Sequence, residues 1–134
     1  MHRRLGIAVV VAVIAAACGG VVDPSKNQVE TFTGTIQVGG LYFIPQTFQI
    51  TKTGEISVTV TSLTPAVASG TYFTVALGQS ISGQCATAIQ VQQFAVVGVA
   101  AINGPITPGS YCVVLGDSGL FTVNEDFSVR VSHP

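Results

Sequence analysis

Alternation of apolar and polar residues is the feature that most restricts the fold of this chain. In residues 55–61, EISVTVT, isoleucine and two valines alternate with serine and threonine. Successive side chains of a β-strand point to opposite faces of a sheet, so the pattern predicts a strand with one buried and one solvent-facing side. The same pattern recurs in residues 31–38 and 127–132, and we expect strands there as well.

Turn-forming residues separate these segments at the spacing of a sheet protein. Pairs rich in glycine, proline and asparagine recur about every 8–12 residues, as in sandwiches and barrels. Residues 94–102, FAVVGVAAI, predict a strand buried on both faces; a helix is the alternative, which valines and glycine disfavour. We therefore expect an all-β fold, a single antiparallel β-sandwich of about eight strands over residues 30–134.

Three segments carry a resemblance to a known family. They are Gly54 with Ile56 and Val58, the PGSYCVV stretch of residues 108–114, and the alternating FSVRV of residues 127–131. In this order they resemble the bacterial pre-peptidase C-terminal (PPC-like) domains, and the resemblance covers most of residues 30–133. It implies a small sandwich of the jelly-roll/PPC-like kind, of a type that often accompanies secreted proteases, with no catalytic signature of its own.

The N-terminal residues have the organisation of an export signal. A basic start at residues 2–4 precedes an apolar run over residues 5–17. At about 13 residues this run is shorter than the roughly 20 that a membrane-spanning helix needs. The small residues Ala15-Ala16-Ala17 then precede Cys18, which resembles the lipobox of bacterial lipoproteins. In that family the cysteine sulfur receives a diacylglyceryl group before the peptide is cut in front of it.

The lipobox resemblance implies a signal peptide over residues 1–17 and a lipidated, flexible tether over residues 18–29. Ala15 departs from the family pattern, which usually has leucine there. An ordinary secretory signal with A-x-A cleavage is the alternative. The lipoprotein interpretation predicts Sec-type export and attachment to a membrane of the bacterial cell envelope through the lipid on Cys18. Gly19, where aspartate would indicate inner-membrane retention, favours the outer membrane.

Charge is scarce in the predicted mature chain. Arg3 and Arg4 fall in the signal peptide, so three of the five basic residues remain against six acidic ones, a net charge of 3 − 6 = −3. A chain with so few charges and no basic cluster is unsuited to bind nucleic acid. The partners we expect are the membrane, through the lipid, and envelope proteins or polysaccharide.

The three cysteines divide into two roles. Cys18 occupies the lipidation position, which leaves Cys85 and Cys112 as an even pair in an oxidising setting. A disulfide between them would close a loop of about 28 residues and stabilise the fold by roughly 3–4 kcal/mol. A metal site is the alternative, but CxxC spacing and neighbouring histidines are missing. We predict the disulfide, with Cys112 pointing away from Tyr111 toward a neighbouring strand or sheet.

Catalytic motifs are absent from the sequence. The predicted mature chain has one histidine, His133, placed where chains fray, and it has no GxSxG nucleophile elbow. A glycosidase needs two carboxylates that flank one bond, whereas the adjacent Glu125 and Asp126 would face opposite sides of a strand. We therefore expect a protein that is not an enzyme.

Two sets of residues are candidates for binding. Asp117, Glu125 and Asp126 offer oxygen ligands for calcium, although Asp117 lies in a GDSG turn and its side chain equally suits a turn acceptor. We favour the turn role and expect no cofactor besides the covalent diacylglyceryl lipid on Cys18. The aromatic residues Tyr42, Phe43 and Phe48 are candidates for a surface that binds a sugar or a protein, and the alternative is that they build core.

Three functions are compatible with these patterns. The first, which we favour, is a non-enzymatic, lipid-anchored module of the cell envelope for binding, adhesion or assembly. The second is an accessory or substrate-binding module that partners a secreted hydrolase. The third, a small hydrolase, would require carboxylates clustered in a cleft.

Overall fold

The computed structural model describes residues 23–43 and 47–134 of the chain. These residues form one short 3-10 helix, Pro24–Lys26, and nine β-strands. Among them no helix is long and apolar enough to cross a membrane. The strands are β1 (Gln28–Ile36), β2 (Leu41–Phe43), β3 (Phe48–Ile50), β4 (Gly54–Thr64), β5 (Phe73–Ile81), β6 (Gln84–Ala95), β7 (Ala100–Ile106), β8 (Gly109–Asp117) and β9 (Glu125–His133).

The strands form two antiparallel sheets that pack face to face. The four-stranded sheet has the order β1-β9-β4-β7. The five-stranded sheet has the order β2-β8-β5-β6, and β3 pairs with β8 farther along the same edge as β2. The predicted antiparallel β-sandwich is therefore confirmed, with nine strands in the described residues where about eight were expected.

One hydrophobic core fills the space between the sheets. Every second residue of the central strands is buried, as the period of two requires. Each fully buried aliphatic or aromatic side chain contributes about 1.5–3 kcal/mol, so these strands supply most of the folding free energy. The four central strands contribute Ile56, Val58 and Val60 from β4, Phe127, Val129 and Val131 from β9, Phe73, Val75 and Leu77 from β5, and Tyr111, Val113 and Leu115 from β8.

The sandwich has two ends. β1 begins at Gln28 opposite His133, and we call this the N-terminal end. β1 finishes at Ile36 opposite Glu125, at what we call the loop end, where the connections 37–40, 65–72 and 118–124 lie. The connection 96–99 leaves β6 at this end, where Ala95 pairs with Phe73, and then lies beside Val60 of β4. Extended residues advance about 3.3 Å each, so the nine residues of β1 separate the two ends by roughly 27 Å.

The predicted strand over residues 94–102 is wrong. β6 finishes at Ala95, residues 96–99 form a turn, and β7 begins at Ala100. Gly98 has a φ of 82°, in the left-handed region that favours glycine, and its N–H donates to the carbonyl of Val60 at 2.8 Å. This apolar run therefore passes from one sheet to the other at the surface.

The predicted tether is shorter than expected at its C-terminal side. The Asn27 side-chain amide donates to the carbonyl of Glu55 at 2.8 Å, and Gln28 already belongs to β1. The sandwich thus begins at residue 28 instead of residue 30. The predicted signal peptide and Cys18 lie outside the described residues.

Candidate functional site

A disulfide joins β6 to β8 on the outer face of the five-stranded sheet. Cys85 and Cys112 are bonded, with their Cα atoms 5.7 Å apart. Cys112 points away from the core because Tyr111 and Val113 on either side point into it. Gly78 of β5 leaves room for the bridge, since a Cβ atom there would lie 3.0 Å from Cys85 Sγ and 3.1 Å from Cys112 Sγ. The predicted disulfide is confirmed.

Small and aliphatic residues occupy the middle of this outer face. Ala76 of β5 lies in register between Val91 of β6 and Val114 of β8. In a second row, Leu41 lies over Gly116, where a Cβ atom would come within 2.5 Å of Leu41 Cδ2. The face is therefore apolar and close-packed around β5 and β8.

The outer face of the four-stranded sheet has the opposite character. It presents mainly hydroxyl groups and three charged side chains, and Val29 of β1 is an exposed aliphatic residue on it. The outward-facing residues of its strands β1, β4 and β9 include Val29, Thr31, Thr33, Thr35, Glu55, Ser57, Thr59, Ser62, Thr64, Asp126, Ser128, Arg130 and Ser132. A partner with an apolar surface would therefore distinguish the two faces of the sandwich.

Six apolar side chains of β6 and the turn that follows it are exposed to solvent. The exposed fractions of Ile89, Val91 and Phe94 on β6 are 50%, 51% and 67%. The turn that follows exposes three more valines by 37–57%. Contiguous exposed apolar surface on a protein marks a binding region more often than single exposed residues do. We call these six residues the apolar strip: Ile89, Val91, Phe94, Val96, Val97 and Val99.

Bulges in β6 help to expose the strip. The pairing of β6 with β5 shifts register three times, and β6 has the additional residue each time. One shift falls between Gln90 and Ala88, at Ile89, and another lies between Ala95 and Gln92, where Phe94 stands. Bulges interrupt the hydrogen-bonded ladder and redirect side chains. β6 is therefore a poor template for a further strand, and its side chains are its means of contact.

Phe94 is held in position at the surface. Its ring packs edge-on against Tyr72, with centroids 5.0 Å apart. Beside the pair, the Ser118 hydroxyl donates to the carbonyl of Gln93 at 3.3 Å and lies 3.1 Å from Thr74 Oγ1. These residues line an open cleft of about 340 Å³. An aromatic ring fixed beside a cleft presents contact area at a small entropic cost.

Comparison with protein families and with curated proteins gives no match. No family model matches the chain, and no curated protein matches it. The resemblances to bacterial lipoproteins and to PPC-like domains therefore stay predictions. The evidence for a function is therefore the geometry of the described residues.

The three aromatic residues predicted for a binding surface differ in where they lie. Phe48 is 2% exposed and packs in the core between Tyr111 and His133, so its assignment to a surface is wrong. Tyr42 is half-buried, and its ring meets Phe127 edge-on at 5.1 Å. Phe43 pairs in register with Val114, and its side chain lies outside the described part of the chain. Among the aromatic side chains that the structure describes, the exposed one is that of Phe94, which the sequence pattern assigned to a buried strand.

Asp117 organises the turn in which it lies. Its Oδ1 accepts N–H groups from Gly119, Leu120 and Phe121 at 2.8–3.1 Å, and its Oδ2 accepts the N–H of Gly39 at 2.7 Å. Burial opposes ionisation of Asp117, but these four donors outweigh it and hold the pKa below its ordinary value. This is the turn role that the GDSG sequence predicted.

The structure does not bring the three calcium candidates together. Glu125 points inward and is 4% exposed, whereas Asp126 points outward and bonds the hydroxyl of Thr35. Within residues 23–43 and 47–134, no group of three or more His, Cys, Asp or Glu side chains is placed to hold a metal ion. Asp117 uses both carboxylate oxygens for backbone N–H groups.

His133 is ordered and buried, contrary to the expectation that it would fray. It is the last residue of β9, pairs with Gln28 of β1, and is 1% exposed. Its ring stacks on Phe48 at a centroid distance of 5.3 Å, and Nε2 lies 2.8 Å from Oε1 of Glu30. This arrangement fixes the end of a strand and provides no serine or cysteine nucleophile.

One feature of the sequence indicates the part of the chain in which the apolar strip lies. No charged residue stands between Glu55 and Asp117. Surface strands ordinarily carry charges, since about a quarter of the residues of an average protein are charged. A long segment without them that still forms exposed strands is therefore an indication of a contact surface.

Proposed function

We propose that the protein is a non-enzymatic, lipid-anchored module of the bacterial cell envelope that binds a partner protein through the apolar strip. The observation that carries the proposal is the exposure of six apolar side chains in a chain segment without charge. Burying apolar surface yields about 25 cal/mol per Å², so such a strip favours association with another apolar surface. The outer face of the four-stranded sheet, which is rich in hydroxyl groups, suits solvent.

The position of the strip relative to the predicted anchor supports this proposal. The lipid would lie on Cys18, five residues before Asp23 at the N-terminal end of the sandwich. Five residues reach at most roughly 18 Å. The turn at residues 96–99 starts where β6 ends, with Ala95 paired to Phe73 at the loop end, so a partner could approach this part of the strip from the side away from the membrane.

The partner we infer is a protein with an apolar, uncharged contact surface. Bulges in β6 disfavour addition of a strand, so recognition would depend on side chains packed around Val91 and Phe94. Hot spots of interfaces are typically such clusters of large side chains near the centre of the contact. A structural envelope protein or a second copy of this chain as partner would indicate a function in assembly. A secreted hydrolase as partner would indicate the accessory function.

The proposal is tested by recovering companions of the protein from its own membranes. The variant V91K/V99K places two ammonium groups on the strip, and we expect it to lose its companions because burying an unpaired charge is costly. Val29→Lys is the matched control, since Val29 is 49% exposed on β1, away from the strip. We expect Val29→Lys to retain the companions of wild type. The proposal fails if V91K/V99K retains them as well.

The anchor is tested separately. Cys18→Ala removes the sulfur that would be acylated, and we expect the protein to move from the detergent phase to the aqueous phase on phase separation. Each buried methylene contributes about 0.8 kcal/mol to membrane binding, so loss of the acyl chains should be decisive. Continued partition of Cys18→Ala with membranes would contradict the anchor without bearing on the apolar strip.

A further inference from the structure

A cavity at the loop end is lined by one carboxyl group, two threonines and several apolar residues. It has a volume of about 260 Å³ and lies between two connections, residues 65–68 with Thr71 on one side and residues 120–123 on the other. The residues that line it include Val67, Leu120 and Phe121. Because a cavity of roughly 150 Å³ already holds benzene, there is room for a small organic molecule.

Glu125 is one of the residues that line this cavity. It is the first residue of β9, faces the core side of the sheet, and is 4% exposed. Its Oε2 atom is buried and has no hydrogen-bond partner among residues 23–43 and 47–134. A buried carboxylate oxygen without a donor costs about 1–3 kcal/mol or more, which is why such groups are rare outside functional sites.

The chemistry of the lining defines what would satisfy this oxygen. Glu125 is the cavity's sole ionisable lining residue among those described, so no arginine or lysine there neutralises it. A ligand that supplies both an N–H donor and a positive charge would form a charge-assisted hydrogen bond, the strongest kind available to a carboxylate. The aliphatic and aromatic residues of the lining would at the same time favour a ligand with a hydrocarbon body.

We propose that this cavity binds a small organic cation, a protonated amine on a short apolar body, whose N–H groups donate to the carboxylate of Glu125. The cavity is separate from the apolar strip, and the proposal does not depend on the partner protein. Thr71 and Thr122, which also line the cavity, carry hydroxyl groups that suit the remaining N–H groups of a primary amine.

The test uses the exported protein, purified in a mild detergent, and two probes of equal length. Butylammonium chloride carries the charge, and 1-butanol is its neutral counterpart. In two-dimensional NMR we expect butylammonium to shift the backbone amides of residues 66–68 and 120–123 with a Kd of about 1 mM or tighter. We expect 1-butanol to bind at least about tenfold more weakly, because hydrogen bonds to charged groups contribute about 1.5–3 kcal/mol.

Variants separate the carboxylate from the shape of the cavity. Glu125→Gln keeps the volume and removes the charge, and should weaken butylammonium binding about tenfold or more. Ala66→Phe places a larger side chain in the lining of the cavity and should abolish the shifts through shape alone. Glu55→Gln, on the outer face of β4, is the matched control and should bind as wild type does. Equal affinity for the two probes, or no shift of these amides by butylammonium, would overturn the proposal.

Discussion

His133 Nε2 lies 2.8 Å from Glu30 Oε1, and this contact ties the last strand of the sandwich to the first. The imidazole is buried against the ring of Phe48, and its Nδ1 lies 3.2 Å from the carbonyl oxygen of Pro134. Both ring nitrogens therefore have partners. Of these two partners, the carboxylate of Glu30 is the one that a side-chain substitution can remove, because the other is a backbone oxygen.

Glu30→Ala should destabilise the protein by about 1–3 kcal/mol. The variant leaves Nε2 of the buried His133 ring without a partner, and an unsatisfied buried polar group costs about that much. Urea unfolding followed by circular dichroism measures the change.

Glu30→Gln is the informative companion, since its amide still offers a hydrogen-bond partner to His133 and should cost less. Glu55→Ala, an exposed glutamate of β4, should change stability by at most about 0.5 kcal/mol. Equal losses for alanine and glutamine at position 30 would contradict a hydrogen-bonding role.

Gly78→Ala should destabilise the oxidised protein. The new Cβ would lie 3.0 and 3.1 Å from the sulfurs of Cys85 and Cys112, so the disulfide must shift to admit it. In the variant C85A/C112A the same substitution should be neutral or stabilising, because glycine in a strand is entropically costly. Unfolding free energies of the four proteins in this double-mutant cycle give the coupling.

The reference for this cycle is the disulfide itself. Closing a loop over a sequence separation of 27 residues predicts that C85A/C112A loses roughly 3–4 kcal/mol relative to wild type. An alanine at position 78 that costs the same with and without the disulfide would contradict the steric explanation.

The alternating strands are the part of the fold that the sequence predicts well. Ile56, Val58 and Val60 face the core as expected, and Cys112 faces away from Tyr111. These residues obey the period of two, which is a local property of an extended chain. Pairing of Cys85 with Cys112 followed from their number and setting.

Contacts distant in sequence account for the parts that were not predicted. Phe48 is buried because β3 pairs with β8, whose Tyr111 covers it, and the short sequence around Phe48 does not contain that information. Phe94 is exposed because β6 lies at the edge of its sheet with bulges. An apolar residue is equally compatible with a core or a contact surface until its neighbours are known.

Asp117→Ala should cost about 2 kcal/mol or more at neutral pH. The variant removes the acceptor of four backbone N–H groups, those of Gly39, Gly119, Leu120 and Phe121, and loosens two connections of the loop end at once. Thermal unfolding measures the loss of stability. Asp117→Asn keeps one acceptor oxygen, so its stability should lie between those of Asp117→Ala and wild type.

The contribution of Asp117 should disappear in acid. Its pKa in the folded protein is lower than the ordinary value of 3.8, so its ionised form stabilises the fold above that value. As the pH falls below 3.8 through the folded-state pKa, the stabilisation is lost. The difference between wild type and Asp117→Asn should therefore shrink below about pH 3.8; a difference that stays constant would contradict the role of the charge.

Glu125→Gln should make the protein more stable at neutral pH, in contrast to substitutions at Asp117. Burial, and after it the charge of Asp126, raises the pKa of Glu125 above its ordinary value of 4.5. Below pH 4.5 the Glu125 carboxyl is protonated in both the folded and the unfolded protein, so its ionisation does not affect stability. Above pH 4.5 the carboxyl ionises first in the unfolded chain, so the free energy of unfolding declines until the pH passes the folded-state pKa.

The glutamine variant lacks this decline, so its stability advantage over wild type should grow as the pH rises from about 4.5 to neutrality. Urea unfolding across this range measures the difference, with Glu55→Gln as control; an advantage that does not depend on pH would show that the buried charge is not its cause.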